Sequence, residues 1–261
     1  MPAKAEGLSI GQVTLLPVYG DITDLQADAF VQPSGTSPPG APIQASPWVI
    51  SADKDSSIAQ ALIRHSPLQL SDVIITPAGT LNAKYLLNAV VIDWGHQHSS
   101  GELIIDDVVV STARKCIAIA TALGLKSVAF TPWGTRVGAI QASLVTAIMV
   151  QAIITEIKAR PGNLETVYMV SNKQEHYQWF VDRSLVFKIM SDQISQVRYE
   201  IRNSEIPSDL RDHILDLLGN LERNVVVYNE IIGGNKISTG NISESEGVAI
   251  GKGARAKVTN R

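Results

Sequence analysis

Three short stretches of the chain carry residue types that could do chemistry. In VYGDITDLQADAF, Val18 to Phe30, an aspartate stands directly after an apolar run. A carboxylate placed there can accept a hydrogen bond from an exocyclic amine of a ligand; alternatively, Asp21 and Thr23 cap the turn that follows. In PWGTRVGAI, Pro132 to Ile140, glycines let the backbone approach a ligand closely. The helix that follows offers unpaired N–H groups and the positive end of its dipole, so this segment is a diphosphate cradle by mechanism; alternatively it is a plain strand-to-helix turn. Arg136 within it could add a charge-assisted bond to phosphate, fill the cleft or face solvent. In DWGHQHSSGE, His96 and His98 could act on a ligand or bind metal. A His-x-His pair without further identifiable ligands fits surface-loop histidines better.

These stretches need elements to hold them. Apolar runs rich in β-branched residues predict six strands, at 12–18, 27–32, 72–78, 85–93, 127–132 and 166–171. Segments with helical periodicity lie between them. One is 56–66; another, about 105–123, repeats Ile105, Val109, Thr112, Cys116, Ile119 and Leu123 at three- and four-residue steps. Cys116 sits on that stripe and reads as a small packed hydrophobe. The uncharged segment Val137 to Ile154 approaches the length of a membrane span. Gln141, Ser143, Thr146 and Gln151 interrupt it and it follows a strand and a glycine turn, so it reads as a helix buried between a sheet and its neighbours. A further helix is expected over 173–190. Alternating strands and helices predict an α/β domain with a mostly parallel sheet, whose ligands bind beyond the carboxyl ends of the strands.

From about Ser191 the character changes. Ile194, Val197 and Ile201 form one narrow apolar stripe, and Leu210, Ile214, Leu217 and Leu221 form another. The expected division is therefore a main domain over 1–189, an amphipathic helical segment over 190–229 and a Gly-rich tail over 230–261. That tail is expected as short strands or partly disordered chain. The two stripes must cover the main domain, each other, a second copy or a protein partner.

Composition narrows the function. The net charge of −3 gives no electrostatic case for nucleic acid. A single cysteine excludes an intramolecular disulfide and cysteine-rich zinc clusters. The opening MPAKAEGLSIGQVTLL lacks a continuous apolar core before a small-residue cleavage site, so the cytoplasm is the expected compartment and no membrane partner is expected.

The first strand, the Gly20-Asp21-Ile22-Thr23 corner and the Asp28-Ala29 start of the second strand resemble a macro domain, the module that binds ADP-ribose and related nucleotides. The likeness continues in order through YLLNAVVID and ALGLKSVAFTPWGTRVGAI, over roughly Gly11 to Ser184. It implies a three-layer α/β/α sandwich around a mixed six-stranded sheet. It further implies that Asp21 reads the adenine amine, with the Ile22 N–H completing the adenine-edge contact. By the same likeness, Gly134, Thr135, Arg136, Val137 and Gly138 would hold the phosphates, although the family usually has glycine where Arg136 stands.

The departures bear on catalysis. Family members that hydrolyse ADP-ribose linkages commonly carry Asn-Ala-Ala-Asn after the second strand, then a triple-glycine loop. Here Gln32-Pro33-Ser34-Gly35 stands in that place and no run of three glycines follows. Gly35 falls where the second asparagine would grip the distal ribose, and glycine has no side chain to orient a ribose or a water. The resemblance therefore implies a reader of ADP-ribose or a related NAD-derived nucleotide, with no catalytic residue, cofactor or metal assigned. The alternatives are an ADP-ribosyl hydrolase with altered residues and a scaffold with a vestigial pocket. Trp48, Trp94 and Trp133 fall at one sheet end, where they either rim a nucleotide or seal the sheet. No stacking partner for adenine is assigned.

Overall fold

The structure is a computed structural model that describes residues 3–4, 7–36, 46–93, 106–133, 142–160 and 162–224. The chain begins with two short strands, β1 (Ala3–Lys4) and β2 (Leu8–Ile10), before the longer β3 (Val13–Tyr19). A 3-10 turn at Ile22–Asp24 leads to β4 (Ala29–Gly35), α1 (Pro47–Ala52) and α2 (Ser57–Arg64). Then come β5 (Val73–Pro77), β6 (Tyr85–Ile92), α3 (Asp106–Ala122) and β7 (Ser127–Phe130). The remaining elements are α4 (Ala142–Ala159), β8 (Thr166–Ser171), α5 (Gln174–Arg202) and α6 (Ser208–Asn224).

All six expected strands form, but the sheet has eight strands rather than six, in the order β1-β3-β8-β7-β4-β6-β5 with β2 also paired to β3. The additions are both N-terminal and antiparallel to β3. They are too short to show a period of two in the sequence; β2 forms because a tight connection, with Gly11 at φ +60°, folds Leu8–Ile10 back onto Val13–Leu15. The inner pairs β3·β8, β8·β7, β7·β4 and β4·β6 are parallel, and β5 closes the far edge antiparallel to β6.

Alternation along the strands divides the core between the two faces. Val31, Leu87 and Val167 point to one side and pack with Val109 of α3, Ile153 of α4 and Phe180 of α5. Phe30, Leu86 and Val170 point to the other and pack with Val49 of α1 and Ile58 and Leu62 of α2. This is the three-layer sandwich that the resemblance implied. Helix α4 explains its own composition: it lies between the sheet, α3 and α5, with Val145, Ile148, Met149, Ile153, Ile154 and Ile157 all buried. Among the described residues no helix is long and apolar enough to cross a membrane. The buried carboxylate of Glu156 at the far end of α4 is held by Arg114 of α3 at 2.9 Å and by Arg160 at 3.3 Å. Cys116 lies wholly inside the core, and burial pushes its thiol far above the ordinary cysteine range, which suits a packed hydrophobe and not a nucleophile.

Helix α5 is a single element of 29 residues, so the change of character near Ser191 falls inside it. No glycine or proline occurs between 174 and 202 to interrupt it. Helix α6 packs against α5, while Leu185, Ile189, Val197 and Tyr199 of α5 and Leu210 and Leu217 of α6 stay exposed. Helix α1 was not anticipated; Pro47 occupies its first position, where a missing N–H costs nothing. The tail expected over 230–261 lies outside the described residues.

Candidate functional site

Asp21 stands immediately beyond β3, where the Gly20 N–H donates to the Ser171 carbonyl at 2.9 Å and ties the ends of β3 and β8 together. The backbone of Asp21 is extended, and one carboxylate oxygen, Oδ1, accepts from the Thr23 N–H at 2.9 Å and the Thr23 hydroxyl at 2.8 Å. Asp21 is therefore the cap of the 3-10 turn, as one of its two sequence readings held. That role occupies a single oxygen. The other, Oδ2, faces the amide nitrogen of Asn172 at 3.5 Å, a long contact that leaves it with acceptor capacity. Ile22 buries its side chain in the core beneath α1 and α2, so only its backbone can face a ligand. Close by, Tyr19 and Tyr177 of α5 meet with ring centres 5.6 Å apart, and His176 stacks on Trp179 at 4.6 Å. Desolvation, followed by the nearby Lys173 charge, lowers the pKa of His176 and favours the neutral ring.

At the other end of the site β4 finishes in Ser34 and Gly35, both buried, with a register shift against β6 between them. Gly35 pairs with Ile92, and the next residue, Thr36, donates its N–H to the Ile92 carbonyl at 2.8 Å. Gln32 does not face a ligand. Its amide nitrogen donates to Asn88 Oδ1, and its carbonyl oxygen accepts from the Ser46 N–H at 3.0 Å. Asn88 in turn donates to the Ile74 carbonyl at 3.0 Å and to Thr76 Oγ1 at 3.1 Å. A buried polar chain thus runs from β5 through β6 and β4 to the start of α1. Sequence reasoning missed it because its members lie far apart along the chain, and no local pattern marks them. Thr80 holds the other end of α1: its N–H donates to the Ala52 carbonyl at 3.1 Å. Gly79 at φ +61° allows that approach, since a Cβ there would lie 2.4 Å from the same carbonyl oxygen.

Strand order explains why these two ends belong to one site. β4 and β7 are neighbours, yet β4 is followed by α1 and α2 on one face of the sheet and β7 by α4 on the other. Connections that part to opposite faces open a crevice at the carboxyl ends of the strands, the general ligand position of open α/β sheets. Asp21, just beyond β3, and Gly35, at the end of β4, flank this edge, with β8 and β7 between the two strands. Three strand spacings, about 14 Å, separate β3 from β4.

Gly134, Thr135, Arg136, Val137 and Gly138 lie outside the described residues, as do Trp94, His96 and His98. Of the other two tryptophans, Trp133 is fully buried against Phe130, and Trp48, which lies in α1, is half-buried edge-on to Phe30, so both seal the sheet end. Among the described residues no group of three His, Cys, Asp or Glu side chains could hold a metal ion.

Comparison with known proteins agrees with this geometry. Residues 54–149 match the family model described as the Macro domain. An uncharacterized protein of Mycobacterium tuberculosis is 28% identical over 166 residues, 64% of this chain and 43% of that protein. The match thus spans less than half the length of that relative. A protein of Salmonella newport named O-acetyl-ADP-ribose deacetylase is 29% identical over 168 residues, covering 60% of this chain and 87% of its own length. Among solved structures, a macrodomain of Oceanobacillus iheyensis with ADP superposes with a TM-score of 0.54 at 20% identity, over 73% of this chain and 99% of that one. At that identity the likeness speaks for the fold alone. Residues 54–149 thus match the Macro domain model, and the sheet with its two helical layers shares the fold of solved macrodomains.

Proposed function

We propose that the chain binds ADP-ribose or a related NAD-derived nucleotide as a non-catalytic reader. The observation that carries this reading is the spacing across the sheet edge. A fixed carboxylate just beyond β3 and a side-chain-free end of β4 stand on either side of two intervening strands, on strands about 14 Å apart. An elongated ligand with an amine-bearing base at one end and a sugar at the other suits that arrangement. Asp21 Oδ2 would accept from the adenine amine while Oδ1 stays with Thr23. The segment 134–138, which follows β7 in the chain, would cradle the diphosphate, and Gly35 would lie under the distal ribose. A fold alone does not fix function, so the assignment is made on these groups. The Oceanobacillus iheyensis macrodomain that shares this fold was solved with ADP. Calorimetry with ADP-ribose tests the reading, and absence of binding at millimolar ligand would refute it.

Gly35 is the reason for a reader and against a hydrolase: it leaves no side chain to orient a ribose or an attacking water. The deacetylase name of the Salmonella relative favours the second reading, an ADP-ribosyl hydrolase with altered residues. A turnover assay on an ADP-ribosylated protein separates the two.

The C-terminal extension carries a separate proposal, self-association through α5 and α6. Val197, Leu210 and Leu217 are 40%, 48% and 52% exposed there. Sedimentation of the full chain beside a chain ending at Ser191 tests it; a monomeric mass for both would end it.

A further inference from the structure

We propose that the second half of α5 and α6 form an arm that joins two copies of this chain antiparallel, as a four-helix bundle, so that one dimer bridges two nucleotide-bearing ligands. The inference deepens the self-association reading and rests on it; its bridging consequence rests on the nucleotide reading as well.

Helix α5 starts directly after β8, at the crevice end of the sheet, and runs back along it. Its 29 residues span about 43 Å, whereas the seven residues of β3 span about 23 Å. It packs on β8 and β3 and also on β2, which pairs with the first residues of β3, so it passes the amino ends of the strands. Beyond them it leaves the domain. Ser184 is its last buried residue, and from Leu185 to Leu218 no side chain among the described residues is buried. The arm therefore projects from the end of the sheet opposite the crevice.

Helices in water draw most of their stability from a packed apolar face, and this pair encloses none. The short connection from Arg202 to Ser208, where Arg211 donates to the Ser204 and Ile206 carbonyls at 3.0 Å, makes α5 and α6 antiparallel. Ile194 and Ile201 of α5 and Leu215 and Leu218 of α6 are half-buried and mark the line along which the helices meet. At about 3.6 residues per turn, exposed Val197 falls on the same side of that line as exposed Leu210 and Leu217. Arg198, Arg202, Asp212 and Asp216 fall on the other side. One side of the arm is charged and the other apolar.

The extent of the apolar side and the place of its nearest charge fit a second copy. Helix α6, of 17 residues, is about 25 Å long, and two helices side by side are about 20 Å across. One side thus offers roughly 500 Å² and two copies roughly 1,000 Å², the lower bound of a specific interface. Glu200 is the charged residue of α5 nearest the apolar side, and it lies close to the tip. Antiparallel pairing sets the two Glu200 carboxylates at opposite ends of the bundle, whereas parallel pairing places like charges at the same end. The two crevices then face outward at opposite ends of the dimer.

The test compares the full wild-type chain with Leu210→Glu combined with Leu217→Glu, and with Ser195→Glu, which adds the same charge on the opposite side. Sedimentation gives the mass, and calorimetry gives the affinity for ADP-ribose. Bridging is read by whether protein held on an ADP-ribose-coated surface captures ADP-ribose-coated beads. The expected result is a dimer for wild type and Ser195→Glu and a monomer for the double variant. ADP-ribose affinity stays the same in all three, and bead capture is lost in the double variant alone. A monomeric wild type overturns self-association and this inference with it. A double variant that stays dimeric, or a Ser195→Glu variant that turns monomeric, leaves self-association standing and overturns this interface. A dimer that binds ADP-ribose yet captures no beads overturns the bridging, as does ADP-ribose affinity lost together with the dimer, which would show that the arm supports the domain itself. If wild type binds no ADP-ribose, the nucleotide reading falls and the bridging with it, while the masses still decide the interface.

Discussion

Replacing Asp21 by asparagine separates the two roles that its carboxylate can play. Oδ1 accepts two hydrogen bonds from Thr23, and Oδ2 has only the long contact with Asn172. Asparagine keeps one oxygen, which can continue to accept from the Thr23 N–H, and asparagine caps as well as aspartate does. Stability should therefore move by no more than about 0.5 kcal/mol. With 1 kcal/mol corresponding to roughly 2–4 °C for a domain of this size, the melting temperature should fall by no more than about 2 °C. The other position becomes an NH2 group, a donor facing the adenine amine, also a donor. A mismatched, partly desolvated amine costs on the order of 1–3 kcal/mol, a loss of affinity of roughly 5- to 150-fold. Asp21→Ala should show a similar affinity loss together with about 1 kcal/mol of lost stability, because it removes the cap as well. Calorimetry with ADP-ribose and a thermal melt of the three proteins decide the matter. Wild-type affinity in Asp21→Asn would leave Asp21 a cap of the 3-10 turn and nothing more.

Other expectations concern catalysis and stability. Incubation with an ADP-ribosylated protein should release no appreciable ADP-ribose, because Gly35 has no side chain to position the ribose; robust release, abolished by a substitution in the crevice, would overturn the reader assignment. Asp28 should matter for folding: its carboxylate accepts from the Lys126 and Ser127 N–H groups at 2.8 and 3.1 Å and pairs with Lys84 at 2.9 Å. Asp28→Ala leaves those strand-start N–H groups without their acceptor and should cost roughly 1–3 kcal/mol in urea unfolding at neutral pH. Burial works to raise the Asp28 pKa, but the bonds from Lys84, Lys126 and Ser127 outweigh it and hold the carboxyl below its ordinary 3.8. A depressed folded pKa means stability that is fully present above about pH 4 and lost as pH falls through the folded value. The gap between wild type and Asp28→Ala should therefore narrow in acid; a gap that widens below pH 4 contradicts the assignment. Arg114→Ala should destabilise by roughly 1–3 kcal/mol, more than a surface ion pair, because Glu156 is buried and would keep only Arg160. A change below 0.5 kcal/mol in a thermal or urea melt would show that Arg160 alone suffices.

Much of this protein is legible from its sequence by itself, and the reason is local. The strands announce themselves because residues such as those of Val13–Tyr19 and Tyr85–Ile92 pack well on a pleated, buried surface. The burial of α4 follows from the absence of charge as far as Ile154, and the cap at Asp21 follows from an acidic residue two positions before a threonine at the end of a strand. The continuity of α5 was also available, since nothing between 174 and 202 breaks a helix, although a change in the apolar stripe suggested two elements there. Three-dimensional packing decided the rest. Which strands lie side by side is not a property of any local pattern, so the parting of the chain after β4 and β7 could not be read in advance. The same holds for the chain from Ser46 through Gln32 and Asn88 to Thr76, whose Gln32 and Asn88 lie 56 residues apart. In Gln32-Pro33-Ser34-Gly35 the residue types alone showed what is missing from a catalytic loop. Only the fold revealed that Gln32 is tied inward to Asn88 and Ser46 while the Ser34 hydroxyl has no partner among the described residues, because hydrogen-bond satisfaction depends on neighbours that distant parts of the chain supply.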